Sequence, residues 1–427
     1  MKRVLFLCGF MVLIVSAGVF ADEGEVTTKD LMKEIQYLKN RVKELEDKVE
    51  RQEVTLKKQE EEVKETKSVF IKYEPGEGIS IEPTGPSLSA GATVVTQMAL
   101  DPNTANDASG DNDVTDASYS IDIEIEQEIG EIGLAYLHLE GGEGAGLDGD
   151  EIATFSGVNR DAGDSGSHVD ITEVWYEHYL FDKMLTLRGG KLDPTVVLDT
   201  SAIANDECTQ FLSATFRNST ALEFPDDNAY GIWTNIELFE WMALEGGIYD
   251  DNADWEDPLR DMFTYAQLNI KPGLFGREGN YRNYFWYDDS NHTKWDDPGT
   301  TTQPNFGFGI SCDQKILDYL TWFGRWGWED PDVSVVEWAW STGLQVDGTP
   351  WGRDNDYLGV AIGMDIASDD YENAGNPGDA EGHVELYYNI HLNDNVSISP
   401  NYQLVWNPNG EDRDPINIFG LRSQIDF

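Results

Sequence analysis

Glu173, Trp175 and Glu177 alternate with Val174 and Tyr176, with Leu180 further along, so two carboxylates and an indole share one face of an extended chain. The same parity sets Thr186 and Arg188 against Leu185 and Leu187, and Arg325 against Trp322, Trp326 and Trp328. Glu385 falls on the polar face of a run whose apolar face carries Val384, Leu386, Tyr388, Ile390 and Leu392. Arg offers planar donors that can bridge neighbouring hydroxyls, carboxylates accept from hydroxyls, and an indole face stacks against C–H groups. Such a set can grip a hydroxyl-rich solute without transforming it. The same residues could equally form a wall network of Arg and Glu with no ligand, and residue type alone leaves both readings open. Catalysis is not indicated, because the six His are scattered and there is no metal-spaced pair, no nucleophile elbow and no phosphate-cradling loop. No cofactor is expected.

The elements that must hold these groups are strands of alternating polarity. The cleanest sets Ile121, Ile123 and Ile125 against Asp122, Glu124 and Glu126. Charge at a bilayer midplane costs about 2–4 kcal/mol, so the acidic face must line water while the Ile face meets lipid. Similar runs are predicted at 89–100, 118–129, 131–140, 170–180, 184–191, 229–238, 241–249, 262–271, 280–288, 305–312, 319–328, 338–346, 356–365, 382–392, 396–406 and 416–427. Short turns at Gly130, 181–183, 239–240 and 393–395 alternate with long polar loops at 101–117, 141–169, 192–228, 289–304 and 366–381. This is the pattern of an all-β, transmembrane antiparallel barrel of about 16 strands, with turns in the periplasm and long loops outside. An even strand number leaves both termini periplasmic. Trp233, Trp241, Trp286, Trp322, Trp328, Tyr402 and Trp406 are expected to form aromatic girdles at the membrane interfaces. The loop 192–228 carries apolar pieces, Ala202-Ile203-Ala204 and Phe211-Leu212, that a merely solvated loop would not need.

The closing stretch LYYNIHLNDNVSISPNYQLVWNPNG, followed by GLRSQIDF and ending on Phe427, resembles the end of the OprB-type carbohydrate-selective porins. Two further blocks, Arg188 to Gly231 and Trp322 to Asp330 with Gly343 to Gly363, resemble the same family, and the likeness runs over roughly residues 90–427. It implies an outer-membrane channel for passive diffusion of sugars and other small hydrophilic solutes. It also implies that the loop 192–228 folds into the barrel and brings Arg217 near the path. On this reading the solute pathway includes Arg188, Arg325, Arg217, Glu173, Glu177, Trp175 and Glu385, with isolated Arg held by Glu173 or Glu177. A general cation-preferring porin and a membrane-to-wall tether are the alternatives.

Residues 1–21 read as a secretion signal, with Lys2 and Arg3 ahead of an apolar run and a small-residue exit. Residues 22–67 then change to a period of 3.5. Ile35, Val42, Val49, Leu56 and Val63 form one seam line, and Leu31, Leu38, Leu45, Gln52 and Gln59 the other. This is an α-helical coiled coil, suited to homo-oligomer formation or contact with the peptidoglycan wall. A Pro- and Gly-rich linker at 68–88 separates it from the barrel at 89–427. The chain has 80 acidic against 29 basic residues and a net charge of −51, which argues against a nucleic-acid partner. The Asp101–Asp116 loop offers oxygen ligands for Ca²⁺ but lacks the closing bidentate Glu of a calcium loop, so it reads as a solvated acidic segment. Cys208 and Cys312 give no disulfide framework.

Because the linker breaks the helix before a self-contained strand set, deleting residues 22–67 should leave a folded, conducting barrel while altering assembly or wall attachment. Loss of heat-resistant β-sheet circular dichroism in the truncated protein would contradict this division.

Overall fold

The computed structural model describes residues 70–427, apart from 77, 83–84, 101, 103–112, 149–151, 162–167 and 258–259, together with parts of 32–48. The expected signal, most of the coiled coil and most of the Asp-rich loop at 101–116 lie outside the described residues. Those described between 32 and 48 are helical, and Leu38, Val42 and Leu45 are exposed in the single chain. The chain divides into two compact units, 1–69 and 70–427.

Residues 70–82 form a hairpin of β1 (Phe70–Glu74) and β2 (Gly78–Glu82) within the stretch read as a linker. The Pro75 and Gly76 that end the preceding helical pattern sit at its turn, where Gly76 takes a positive φ of 76°. Sixteen longer strands follow. They are β3 (Ser87–Leu100), β4 (Val114–Glu128), β5 (Gly133–Glu143), β6 (Val169–Leu180), β7 (Leu185–Leu192), β8 (Ala229–Phe239), β9 (Met242–Asp250) and β10 (Met262–Ile270). Then come β11 (Gly279–His292), β12 (Gln303–Leu317), β13 (Leu320–Glu329), β14 (Val336–Gly348), β15 (Arg353–Ala367), β16 (Glu381–Asn393), β17 (Val396–Trp406) and β18 (Ile416–Asp426).

Each of these strands pairs antiparallel with the next, and β18 returns to β3 in a ladder from Asn417↔Leu100 to Asp426↔Gly91. The Phe427 N–H donates to the Ala90 carbonyl at 2.8 Å and extends this seam to the last residue. The sheet is thus a closed 16-strand barrel, and the hairpin pairs with it at Ile79↔Leu88 and Ser80↔Ser87. Closure leaves no backbone edge facing hydrocarbon. The outward residues form an apolar belt in which Val94, Ile121, Val174, Ile232, Phe285, Leu386 and Phe419 are exposed.

The loop 193–228 turns into the barrel. Ile203, Ala204, Phe211 and Phe216 pack with Phe323, Ala361 and Tyr387 of the wall. Leu198 and Leu222 pack with Trp233, Tyr249, Phe263, Tyr265, Tyr284 and Trp286. Two expected girdle residues are therefore inward: Trp233 and Trp286 support the loop, because their parity sets them on the lumen face of β8 and β11. Trp241 is outward and stacks on Phe239 at 5.4 Å, at the β8–β9 turn.

Polar wall groups clamp the same loop. Arg325 donates to the carbonyls of Asp199 at 3.0 and 3.1 Å, of Ala204 at 2.7 Å, and of Phe216. Its Nε also pairs with Asp199 Oδ2 at 3.2 Å. Asp199 itself sits at φ 59°, and its Oδ2 accepts from the Ser219 N–H at 2.7 Å. Glu385 accepts from the backbone N–H groups of Leu212 at 2.8 Å and Ser213 at 2.9 Å. Removing one member of such a buried pair costs about 3–5 kcal/mol because the other charge is left without a partner. Arg325→Met should therefore free the loop while keeping the barrel: proteolysis would begin within 193–228 and single-channel conductance would rise. Wild-type conductance and cleavage pattern in this variant would show that the loop is held by its apolar contacts alone.

Candidate functional site

With the β8–β16 wall covered by the loop, a cavity of about 780 Å³ lies against β3–β7 and the end of β18. Along β4 the acidic face reaches it through Asp122, Glu124 and Glu126, as the alternation with Ile requires. From β5 come Tyr136, His138 and Glu140, from β6 Glu173 and Trp175, and from β7 Arg188. Two infolded loops supply the opposite side: Arg160 and Asp161 from 144–168, and Asp193, Asp206, Glu207 and Arg217 from 193–228. Among the described residues of the lining, ten Asp and Glu side chains face three Arg, so this part of the lumen is strongly negative.

One cluster combines charge with aromatic surface. Arg188 donates from Nε and Nη2 to Glu177 Oε2 at 3.0 and 2.8 Å, and its guanidinium lies 4.0 Å from the Trp175 ring centroid and 4.9 Å from that of Trp233. Trp175 in turn stacks on Tyr136 at 4.7 Å. Its Nε1 donates to Glu173 Oε2 at 3.0 Å, and the same oxygen accepts from the Asp193 N–H at 3.2 Å. Facing Trp175 across the β6–β7 ladder is Gly190, with φ 148°. A Cβ there would meet the Val174 carbonyl oxygen at 2.2 Å and Trp175 Cβ at 2.9 Å, so only glycine fits beside the indole. Glu177 stands behind Arg188 and fixes the guanidinium plane, which leaves Nη1 for a ligand.

The structure separates the seven residues expected on the pathway into two groups. Glu173, Trp175, Arg188 and Arg217 line the cavity, with Glu177 directly behind Arg188. Arg217 is held by Glu207 at 2.5 Å and by Asn218 at 2.7 Å. Arg325 and Glu385 point inward as parity requires, yet neither reaches the cavity. Both lie beneath the loop, and Arg325 is held by Asp199 rather than by Glu173 or Glu177. Parity fixes the side of the sheet and says nothing about which part of the lumen a loop will cover.

Sequence reasoning missed Tyr136, His138, Arg160 and Asp161. The first two follow from β5 alternation, whereas Arg160, expected in an outer loop, reaches the lumen because its loop is tied inward. Gln97 and Gln403 both donate to the Val158 carbonyl, at 3.1 and 2.9 Å, and the Arg160 N–H donates to the Leu212 carbonyl at 2.9 Å. Asp161, on the same loop and outside the spanning strands, accepts from Ser120 Oγ at 3.0 Å. Burial pushes its carboxyl up to about 7, which outweighs the Ser120 hydrogen bond.

The closed barrel is also the fold of known outer-membrane channels. The high-pH structure of Pseudomonas putida OprB superposes with a TM-score of 0.69 at 17% identity, over 80% of this chain and 94% of that one. Its low-pH structure gives 0.52 at 13% identity, over 80% and 93%. The outer membrane channel DcaP of Acinetobacter baumannii gives 0.54 at 11% identity, over 81% and 97%. At such identities the likeness shows the fold alone. No curated protein matches the chain. The sequence profile described as "Carbohydrate-selective porin, OprB family" matches residues 112–427, which takes in fifteen of the sixteen barrel strands. A match of that extent settles the family: this chain belongs to the carbohydrate-selective porins of the OprB family, and it is an outer-membrane porin for carbohydrates.

Proposed function

We propose that sugars cross along the β3–β7 side of the lumen and bind in passing at the cluster of Tyr136, Trp175 and Arg188. The observation that supports this most directly is the Arg188 guanidinium set between Glu177 and the Trp175 face, with donors left for the lumen. A sugar ring laid on the half-buried Tyr136 ring, which is itself backed by Trp175, can accept from Arg188 and donate to Glu173 or Asp193, so hydrogen bonds replace lost hydration while stacking covers the C–H face. Arg217 supplies a second set of donors from the loop side. The excess of carboxylates supports cation-preferring ionic conduction through the same lumen, in which uncharged sugars are selected by contact and ions by field.

The N-terminal segment completes the proposal. Residues 22–67 form a periplasmic coiled coil that joins copies of the chain or reaches the peptidoglycan wall, following removal of residues 1–21. The 3.5-residue repeat of Leu38, Val42 and Leu45 with their neighbours supports this reading.

Arg188→Ala should raise the permeability ratio of cations to anions and weaken sugar block of the ionic current by roughly tenfold, corresponding to ~1.4 kcal/mol of lost binding. Arg188→Lys should restore the charge and the selectivity but only part of the block, since a point charge lacks the planar fork. Block analysis across mono- and oligosaccharides in planar bilayers is the measurement, with Arg260→Ala in the 251–261 loop as control. Unchanged block in both Arg188 variants would place the sugar path elsewhere.

The pH dependence of selectivity follows from Asp161. Its carboxyl is neutral below about 7 and charged above, so cation preference should increase as pH rises through that value. Asp161→Asn should flatten the step, and reversal potentials in a salt gradient report it. A variant that keeps the full step would assign the titration to another lumen group.

A further inference from the structure

Beneath the infolded loops, away from the solute cavity, three ionisable side chains of the wall meet. Asp365 on β15 is the direct cross-strand partner of Glu381 on β16, and His383 follows two residues along the same face. Relative exposure is 1% for Asp365, 0% for Glu381 and 1% for His383. Their ligand atoms all fall within 4.8 Å of one another. Two carboxylates opposed across a ladder repel, and the repulsion is stronger in a dry interior than at a surface.

The partners of the three groups are unequal. Glu381 accepts from the Phe155 N–H at 3.0 Å and the Asn409 N–H at 2.6 Å. Asp365 Oδ2, fully buried, has no hydrogen-bond partner. His383 Nδ1 lies 3.2 Å from Ser213 Oγ, and Nε2 lies 2.7 Å from Glu381 Oε1. With Nδ1–H donating to Ser213, the Nε2 lone pair faces the two carboxylates, an orientation that calls for a cation between them. An imidazolium would serve Glu381 and still leave the Asp365 oxygen unpaired.

We propose that Asp365, Glu381 and His383 bind a divalent transition-metal ion of the Zn²⁺ class, which locks the loops 144–168, 193–228 and 407–415 onto the barrel wall. One imidazole nitrogen and two carboxylates, with a fourth position open, is a donor set suited to zinc, whereas Ca²⁺ prefers oxygen ligands alone. Around a tetrahedral ion with bonds of about 2.1 Å, ligand atoms lie roughly 3.4 Å apart, so binding needs only a modest opening of the Nε2–Oε1 contact. Ser156 Oγ, 3.5 Å from His383 Nε2, can occupy the fourth position. The hydrogen bonds already formed tie each loop to the ligands: Phe155 and Ser156 from the first, Ser213 from the second and Asn409 from the third. The role assigned to the ion is loop closure, and it is independent of how sugar is recognised.

A second group, Glu223, Asp288 and His292, also places ligand atoms within 4.8 Å but is partly exposed. The test therefore uses full-length protein carrying His292→Gln. After EDTA treatment the protein is equilibrated with Zn²⁺, Mn²⁺ or Ca²⁺ and desalted, and its metal is measured by mass spectrometry. Equimolar retention of Zn²⁺ is expected, with Ca²⁺ lost on desalting, and retention should disappear on adding Asp365→Asn or His383→Gln. Removing Zn²⁺ should also make the 193–228 loop more sensitive to protease in the parent only. Glu381→Gln replaces either ligand variant that fails to give β-sheet circular dichroism. The proposal is overturned if the parent retains no Zn²⁺, if the ligand variants retain as much as the parent, or if Ca²⁺ is held in its place.

Discussion

A peptide group without a hydrogen-bond partner costs several kcal/mol in hydrocarbon, and every strand of the barrel must therefore be paired on both edges. The β18–β3 seam meets that demand for the whole sheet, and the bond from the Phe427 N–H to the Ala90 carbonyl carries it to the end of the chain. Once closed, the wall has two faces with opposite requirements. Outward positions need apolar side chains, and inward positions are free to carry charge, so Ile121 and Asp122 can be neighbours on one strand without conflict.

A 16-strand barrel encloses more space than its own side chains fill, and the excess is divided unequally here. The loop 193–228 spends its apolar residues on the β8–β16 half, where Phe211, Phe216 and Tyr387 form a core like that of a soluble domain. Burying a loop leaves its backbone polar groups to be satisfied, and the wall does this with charge: Arg325 serves three loop carbonyls and Glu385 two loop N–H groups. Charged residues that look like pore lining in the sequence thus act as fasteners. The remaining half of the interior is left wet, and it is there that Arg188 meets Trp175.

In that half the field and the contacts work on different solutes. Ten carboxylates against three Arg set a potential that an ion feels at a distance, whereas an uncharged sugar gains only from donors, acceptors and ring faces within touching range. The Arg188–Glu177 pair places a positive, planar group within this negative surround and holds it by hydrogen bonds as well as charge. Its position over Trp175 depends on a glycine, Gly190, on the neighbouring strand. In the proposed path, sugar is therefore recognised by a few short contacts inside a lumen whose carboxylates outnumber its Arg.

The barrel was legible in the sequence because a period of two is a local property: each of the sixteen predicted runs overlaps a strand, since a residue's side of the sheet depends only on its parity. Parity also directed Glu173, Trp175, Arg188, Arg325 and Glu385 inward, and the apolar pieces Ile203-Ala204 and Phe211-Leu212 marked the loop as one with a surface to bury. Which inward residues would meet solute was not a local property. It depended on where the loop landed, through contacts between positions more than a hundred residues apart, such as Arg325 with Asp199 and Glu385 with Leu212. The same long-range packing drew Arg160 and Asp161 into the lumen and laid the loop on Trp233 and Trp286, which parity had already turned inward. Sequence alone determined the wall, because lipid and water act on each strand separately. The tertiary structure decided where the open cavity lies, because a cavity is what packing leaves over.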